Sequence, residues 1–279
     1  MKILKDSRPS IERGWYPQNP GKLTRSLELY LDSAEVKKPE GELQGIIVPH
    51  AGHVYSGSVA AHAFKCLSGT NFETVVIVSP SHYHYDDIIV TTSHSSYETP
   101  LGTVMVDHSL IEKLNNKLVD KLGKNLKYVD YDSEHAIEVE LPFLQHIMGQ
   151  FKLLPLMIVE QTIDIAKELG HSIAEVVSDR RALMVASSDL SHFYSEKIAN
   201  GLDGEMLGRI ESFDPRGVIE AEENGTGFAC GRAAISSVLW ACLDLGANNI
   251  KVLKYATSGT VTGDYDEVVG YGSAVIWKT

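Results

Sequence analysis

Three histidines in this chain stand just beyond short apolar runs, which read Ile46-Ile47-Val48-Pro49-His50, Val75-Val76-Ile77-Val78-Ser79-Pro80-Ser81-His82 and Leu183-Met184-Val185-Ala186-Ser187-Ser188-Asp189-Leu190-Ser191-His192. Imidazole titrates near neutral pH and is the commonest metal ligand, so such residues brought together predict metal binding or proton transfer. His50 and His82 form the strongest pair; the bland alternative is two turn or capping histidines. Asp189 shares a loop with His192, and a carboxylate near an imidazole fixes its tautomer and raises its basicity. Asp189 and Ser191 would otherwise be ordinary caps. His135, beside Glu134 in what reads as the first turn of a helix, either points into the same crevice or is solvated.

Cys230 lies in Gly225-Thr226-Gly227-Phe228-Ala229-Cys230-Gly231-Arg232. The glycines let backbone approach a ligand, and a following helix start together with Arg232 is expected to lower the thiol pKa. The glycine spacing does not fit a dinucleotide fingerprint. Cys66 and Cys242 sit in apolar helical runs and read as small buried hydrophobes. His53 and His84 are second-rank alternatives to their neighbours. His62, His94, His108, His146 and His171 have no such context and read as surface or helix-face residues.

Runs of this kind suit strands buried on both faces of a parallel sheet, where ligands sit outside the carboxyl ends of the strands. Strand Leu43 to Val48, helix Ser58 to Leu67 and strand Thr74 to Val78 make a βαβ unit with parallel strands. Asn19-Pro20 opens a helix, Asp107 caps another, and Asp214-Pro215 with Asn224-Gly225 brackets a third. Residues 87–106 read as a β excursion. Ser133 is expected to begin a helix with Ile137, Leu141, Leu144 and Met148 as its apolar stripe and Pro142 as a kink. Strand Lys152 to Val159, helix Ile163 to Ser178, the strand ending at Asp189 and closing strands Val252 to Ala256 and Val268 to Trp277 complete an α/β pattern. No linker or repeat divides it, so residues 1–279 are expected to form one domain.

The 279 residues are 43% hydrophobic and 22% charged, as in an ordinary globule, and 25 basic against 37 acidic residues give a net charge of -12. That balance disfavours a sequence-independent grip on nucleic acid or an anionic membrane. Three cysteines do not make a disulfide scaffold, Met1 to Asp6 does not read as a signal peptide, and no apolar run is long enough to span a bilayer. A reduced cytoplasm is the expected compartment.

Five ordered motifs resemble the signature series of the Memo family: Val48-Pro49-His50-Ala51-Gly52 with Tyr55-Ser56-Gly57; Ser79-Pro80-Ser81-His82; Glu134-His135-Ala136-Ile137-Glu138 with Leu141-Pro142; Ser188-Asp189-Leu190-Ser191-His192; and Cys230-Gly231-Arg232. The resemblance implies a fold like that of class III extradiol dioxygenases, with a central, largely parallel sheet flanked by helices. Those enzymes hold iron(II) with two histidines and a glutamate. The Memo pocket instead offers two histidines and a cysteine, which map onto His50, His82 and Cys230, while His192 matches the dioxygenase acid/base histidine. Thiolate is softer than carboxylate and more easily oxidised, which shifts preference towards copper(I), zinc or thiolate-bound iron. His53 replaces the tyrosine common in the family's His-Ala-Gly-Tyr motif.

Three functions fit these residues. The first is a metal-dependent redox enzyme in which His50, His82 and Cys230 bind iron(II) or copper, with zinc also possible; His192 and His135 transfer protons, Asp189 orients His192, and a small molecule is the substrate. The second is a metal-free cysteine hydrolase using Cys230, His192 and Asp189. The third is a binding module for an anionic or phosphorylated peptide, with Arg232 assisting.

Overall fold

The apolar runs do form strands, and their order in the sheet decides which histidines meet. The computed structural model describes residues 6–11 and 14–279; the reading of Met1 to Lys5 lies outside the described residues. The chain begins β1 (Ser7–Arg8), α1 (Pro20–Ser33), β2 (Glu42–Val48), α2 (His53–Lys65) and β3 (Thr74–Pro80). The β excursion is β4 (Ile89–Thr92), β5 (Ser96–Thr99) and β6 (Gly102–Val106), followed by α3 (His108–Leu122) and β7 (Lys127–Val129). A 3-10 turn (Glu138–Glu140) enters α4 (Leu141–Met148), then β8 (Lys152–Ile158), α5 (Ile163–Val177) and β9 (Ala182–Ser187). The last third holds β10 (His192–Tyr194), α6 (Glu196–Glu211), α7 (Pro215–Glu223), α8 (Arg232–Asp244), β11 (Asn249–Thr257), α9 (Gly259–Thr262) and β12 (Val268–Lys278).

The central run β6-β8-β3-β9-β2 is parallel. Within it β3 and β9 are buried throughout, and β2 and β8 expose only their first residues, as unbroken β-branched and aliphatic runs require. β12 lies antiparallel on β2, with β10 and β11 antiparallel to β12. The result is a single-domain α/β fold with one mostly parallel mixed sheet. α1, α2 and α4 pack on one another, and so do α3, α5, α7 and α8, so helices flank the sheet in two sets. The expected caps form: Asn19 accepts from Lys22 N, Asp107 from Leu110 N and Asp214 from Gly217 N.

β2 and β3 are parallel but not adjacent, because β9 runs between them with Val48 opposite Ser187 and Val78 opposite Ala186. The carboxyl ends of all three strands are therefore level.

The helix expected from Ser133 does not start there. Arg8 binds the Asp132 and Glu134 carbonyls, and the Glu134 carboxylate accepts from His135 N and Ala136 N. These side chains satisfy backbone groups that a helix would otherwise pair, so residues 132–135 stay out of helix. Pro142 lies at the start of α4 and kinks nothing, a position where its missing N–H costs no bond.

Candidate functional site

His50 sits two residues past β2 and is buried. Asp189 fixes its loop from the neighbouring strand end, accepting from His50 N at 2.8 Å and Ala51 N at 3.2 Å. Asp189 thus holds the His50 loop, and among the described residues it makes no hydrogen bond to His192. Burial pushes its carboxyl up to about 6.

Ser187, the last residue of β9, fixes the His50 ring. Its Oγ lies 2.9 Å from His50 Nδ1, 2.6 Å from Ala136 O and 3.0 Å from Glu140 Oε1. A hydroxyl has one hydrogen and a carbonyl cannot donate, so that hydrogen goes to Ala136. The other two contacts are hydrogen bonds only if His50 Nδ1–H and a protonated Glu140 donate to Ser187. Complete burial holds the Glu140 carboxyl well above its usual range, which agrees with that count. His50 Nε2 is left with its lone pair, 3.3 Å from Cys230 Sγ. Burial first, and His82 next, push His50 down to about 3.

His82, in the loop after β3, is held by a carboxylate. Glu134 accepts from His82 N at 2.6 Å and lies 2.9 Å from Nδ1, leaving Nε2 free. Burial works against protonation of His82, but Glu134 outweighs it and raises the pKa. Burial likewise favours neutral Glu134, yet the hydrogen bond and charge of His82 hold it down at about 2. His135 reaches the crevice from the extended segment, stacked on Trp15 at 3.7 Å between centroids, and burial pushes it down to about 3.

Cys230 is half-buried, ahead of α8. Gly231 lets it approach β9, since a side chain there would meet Ser188 Cβ at 2.8 Å and Ser187 O at 2.9 Å. Desolvation and then Asp189 push the thiol above its ordinary value. The expected lowering is corrected: Arg232 is paired with Glu222 and turned to a carboxylate of its own. Ligand atoms of His50, His82 and Cys230 lie within 4.8 Å of one another, and so do those of His82, Glu134 and His135.

His192, in β10, lies between the rings of Phe193 and Phe228, and among the described residues its Nδ1 has no hydrogen-bond partner. It lines the same crevice, of about 500 Å³, as Trp15, His50, His82, His135 and Asp189. His53 does not: it is buried between Tyr16 and Phe143 with Nε2 2.9 Å from Val139 O. His84 is exposed near Asp86. His94, expected at the surface, is buried with Nε2 2.9 Å from Asp130 O.

The sequence reading missed Ser187, Glu140, Trp15 and Arg8, and saw Glu134 only as a neighbour of His135. Arg8 is fully buried, pairs with Asp132 and Glu138, and binds the Glu134 carbonyl. Asp132 in turn accepts from Glu134 N at 2.9 Å. The signal was the density of acids in Asp130-Tyr131-Asp132-Ser133-Glu134-His135, which a buried cation must answer.

Fold and site together define an α/β protein that presents two histidines and a cysteine at the carboxyl edge of its parallel strands. A family model described as Memo-like protein matches residues 8–275, and the chain belongs to the Memo family. It is similar to MEMO1 family proteins of Nitrosopumilus maritimus, 32% identical over 95% of this chain and 98% of that one, and of Methanopyrus kandleri, 35% identical over 96% and 97%. An uncharacterized protein of Escherichia coli K12 shares the fold, with a TM-score of 0.55 at 11% identity, covering 82% of this chain and 99% of that one. Among the described residues no helix is long and apolar enough to cross a membrane.

Proposed function

We propose that His50, His82 and Cys230 hold a transition metal, iron(II) or copper with zinc as the non-redox alternative, and that the protein is a metal-dependent redox enzyme acting on a small molecule. One observation carries this reading: three donor atoms converge within 4.8 Å while the second nitrogen of each histidine is engaged by Ser187 or Glu134. Metal-binding histidines are characteristically oriented by such a partner on the other nitrogen, which fixes tautomer and ring direction. The donors fit, since neutral imidazole and thiolate suit iron, copper and zinc.

A redox metal bound there would supply electron transfer between dioxygen and an organic substrate. His135, clamped by Trp15, and His192 offer two further imidazoles on the crevice wall, and proton transfer is proposed to run through them. Asp189 keeps the His50 loop in position. The thiol-hydrolase reading is disfavoured by a cysteine whose pKa is raised, and the anionic-peptide reading by Arg232 being spent on Glu222.

The test is elemental analysis of anaerobically purified protein after equilibration with iron(II), copper(I) and zinc in turn. Near-stoichiometric metal is expected in the wild type and not in Cys230→Ser or His82→Ala. A wild type that retains none would overturn the proposal.

A further inference from the structure

The crevice has a charge and a surface that metal binding does not use. Among the described residues that line it there is no lysine or arginine, and its carboxylates are Asp189 and Glu267. Asp189 is occupied by backbone amides. Glu267 is exposed and, among the described residues, without an ion pair, at the end of a loop that also exposes Asp264 and Asp266. An anion entering the outer mouth meets the exposed carboxylate of Glu267 and no lysine or arginine.

The same mouth is aromatic. Trp15, Tyr55, Phe193 and Tyr271 line it, with Tyr55 41% and Phe193 71% exposed. Phe193 has φ +62°, one of two described non-glycine residues with positive φ. A bulky residue in the left-handed region is strained, and such strain is retained where the surroundings or function require it. The Phe193 ring stands at the mouth, edge-on to His192 with centroids 5.7 Å apart. Exposed aromatic faces beside an unpaired carboxylate make a cation-binding surface.

We infer that the crevice takes an organic cation, an amine with an aromatic or apolar body, which lies against Phe193 and Tyr55 with its positive group towards Glu267. This names the substrate class of the site proposed above and rests on that reading for its catalytic meaning; binding itself needs no metal.

Three probes with one ring and different charge test it: 2-phenylethylamine, 2-phenylethanol and phenylacetate, each titrated into the protein as purified and into Cys230→Ser. The amine is expected to bind about tenfold tighter than the alcohol, with the carboxylate weakest. Glu267→Gln should bring the amine down to the alcohol's affinity, and Phe193→Ala should weaken amine and alcohol alike. Phenylacetate binding as tightly as the amine, an amine preference that survives Glu267→Gln, or no binding of any probe overturns the inference. The two readings fail separately: the charge order without retained metal removes the redox proposal alone, and retained metal without the charge order removes the substrate class alone.

Discussion

His50 and His82 end parallel strands at the same edge of the sheet, yet the two imidazoles are held in opposite ways. His50 is 1% exposed, is fixed by the Ser187 hydroxyl and is pushed down to about 3, so it is neutral. The His82 side chain is 35% exposed and faces the buried carboxylate of Glu134, which raises its pKa. A hydroxyl sets a tautomer without adding charge, whereas a carboxylate also makes the ring more basic. The site therefore combines a rigid neutral donor with a charge-assisted one, and each depends on a different part of the fold.

The largest break in this comparison is on the His82 side. Arg8 is buried among Asp132, Glu138 and the Glu134 carbonyl. Arg8→Met leaves those acids without their cation, and loss of one partner of a buried pair costs about 3–5 kcal/mol. Chemical denaturation should show a loss of that size, with metal affinity falling alongside. An unchanged unfolding midpoint would remove Arg8 from the support of Glu134. Glu134→Gln tests the carboxylate itself: the amide keeps an acceptor at one of the two oxygen positions but not the charge. A fall of about 10- to 100-fold in metal affinity is expected, the usual effect of losing such a partner, read by competition with a chelating dye.

How far this asymmetry could be read from sequence depends on the kind of contact involved. The His50 and His82 strands were legible because buried parallel strands are written as continuous apolar runs, and the caps at Asn19, Asp107 and Asp214 because their chemistry is local. Side chains that act across the fold were not. Ser187 reaches His50 over 137 positions and Arg8 reaches Glu138 over 130, and no local period records such pairs. α6 escaped for a related reason: its buried positions Ala199, Asp203, Met206 and Ile210 keep helical spacing, but one is an acid. Asp203 is buried because it accepts from Ser191 N at 2.9 Å and Tyr255 Oη at 2.7 Å. The 132–138 segment misled because its composition favours helix while Arg8 and Glu134 hold its start extended.

Effects of intermediate size test the His50 side. Ser187→Ala removes the acceptor for His50 and Glu140 and leaves both buried polar groups unpaired, for a loss of about 1–3 kcal/mol. Against Glu134→Gln, this variant should lose more of its effect in stability and less in metal affinity. His53 isolates the effect of burial without touching the site. Its pKa is lowered by burial from 6.5 to about 4, so it contributes stability that is present above pH 6.5 and lost as pH falls towards 4, where the unfolded chain binds the extra proton. At pH 5 the contribution lost is about 2 kcal/mol. His53→Gln keeps a donor for Val139 O and cannot titrate, so its stability should fall less than that of the wild type between pH 7 and pH 5. Parallel pH profiles would show that burial is not the cause.

Glu140→Gln should have the smallest effect, and its smallness is the informative outcome. If Ser187 gives its one hydrogen to Ala136 O, Glu140 must donate, and a glutamine amide donates from the same place. Stability should change by less than about 1 kcal/mol, and His50 should remain protonated at Nδ1, as read from its two ring nitrogen shifts. If Glu140 were instead a buried carboxylate accepting from Ser187, the substitution would remove a charge, redirect the hydroxyl and release the tautomer of His50. A His50 protonated at Nε2 in the wild type would overturn the count directly, and with it the claim that this nitrogen's lone pair faces Cys230. The contrast with Glu134→Gln then becomes a single statement about two glutamates: one acts on its histidine through charge, the other through a proton passed to a hydroxyl, and only the first is expected to lose function as an amide.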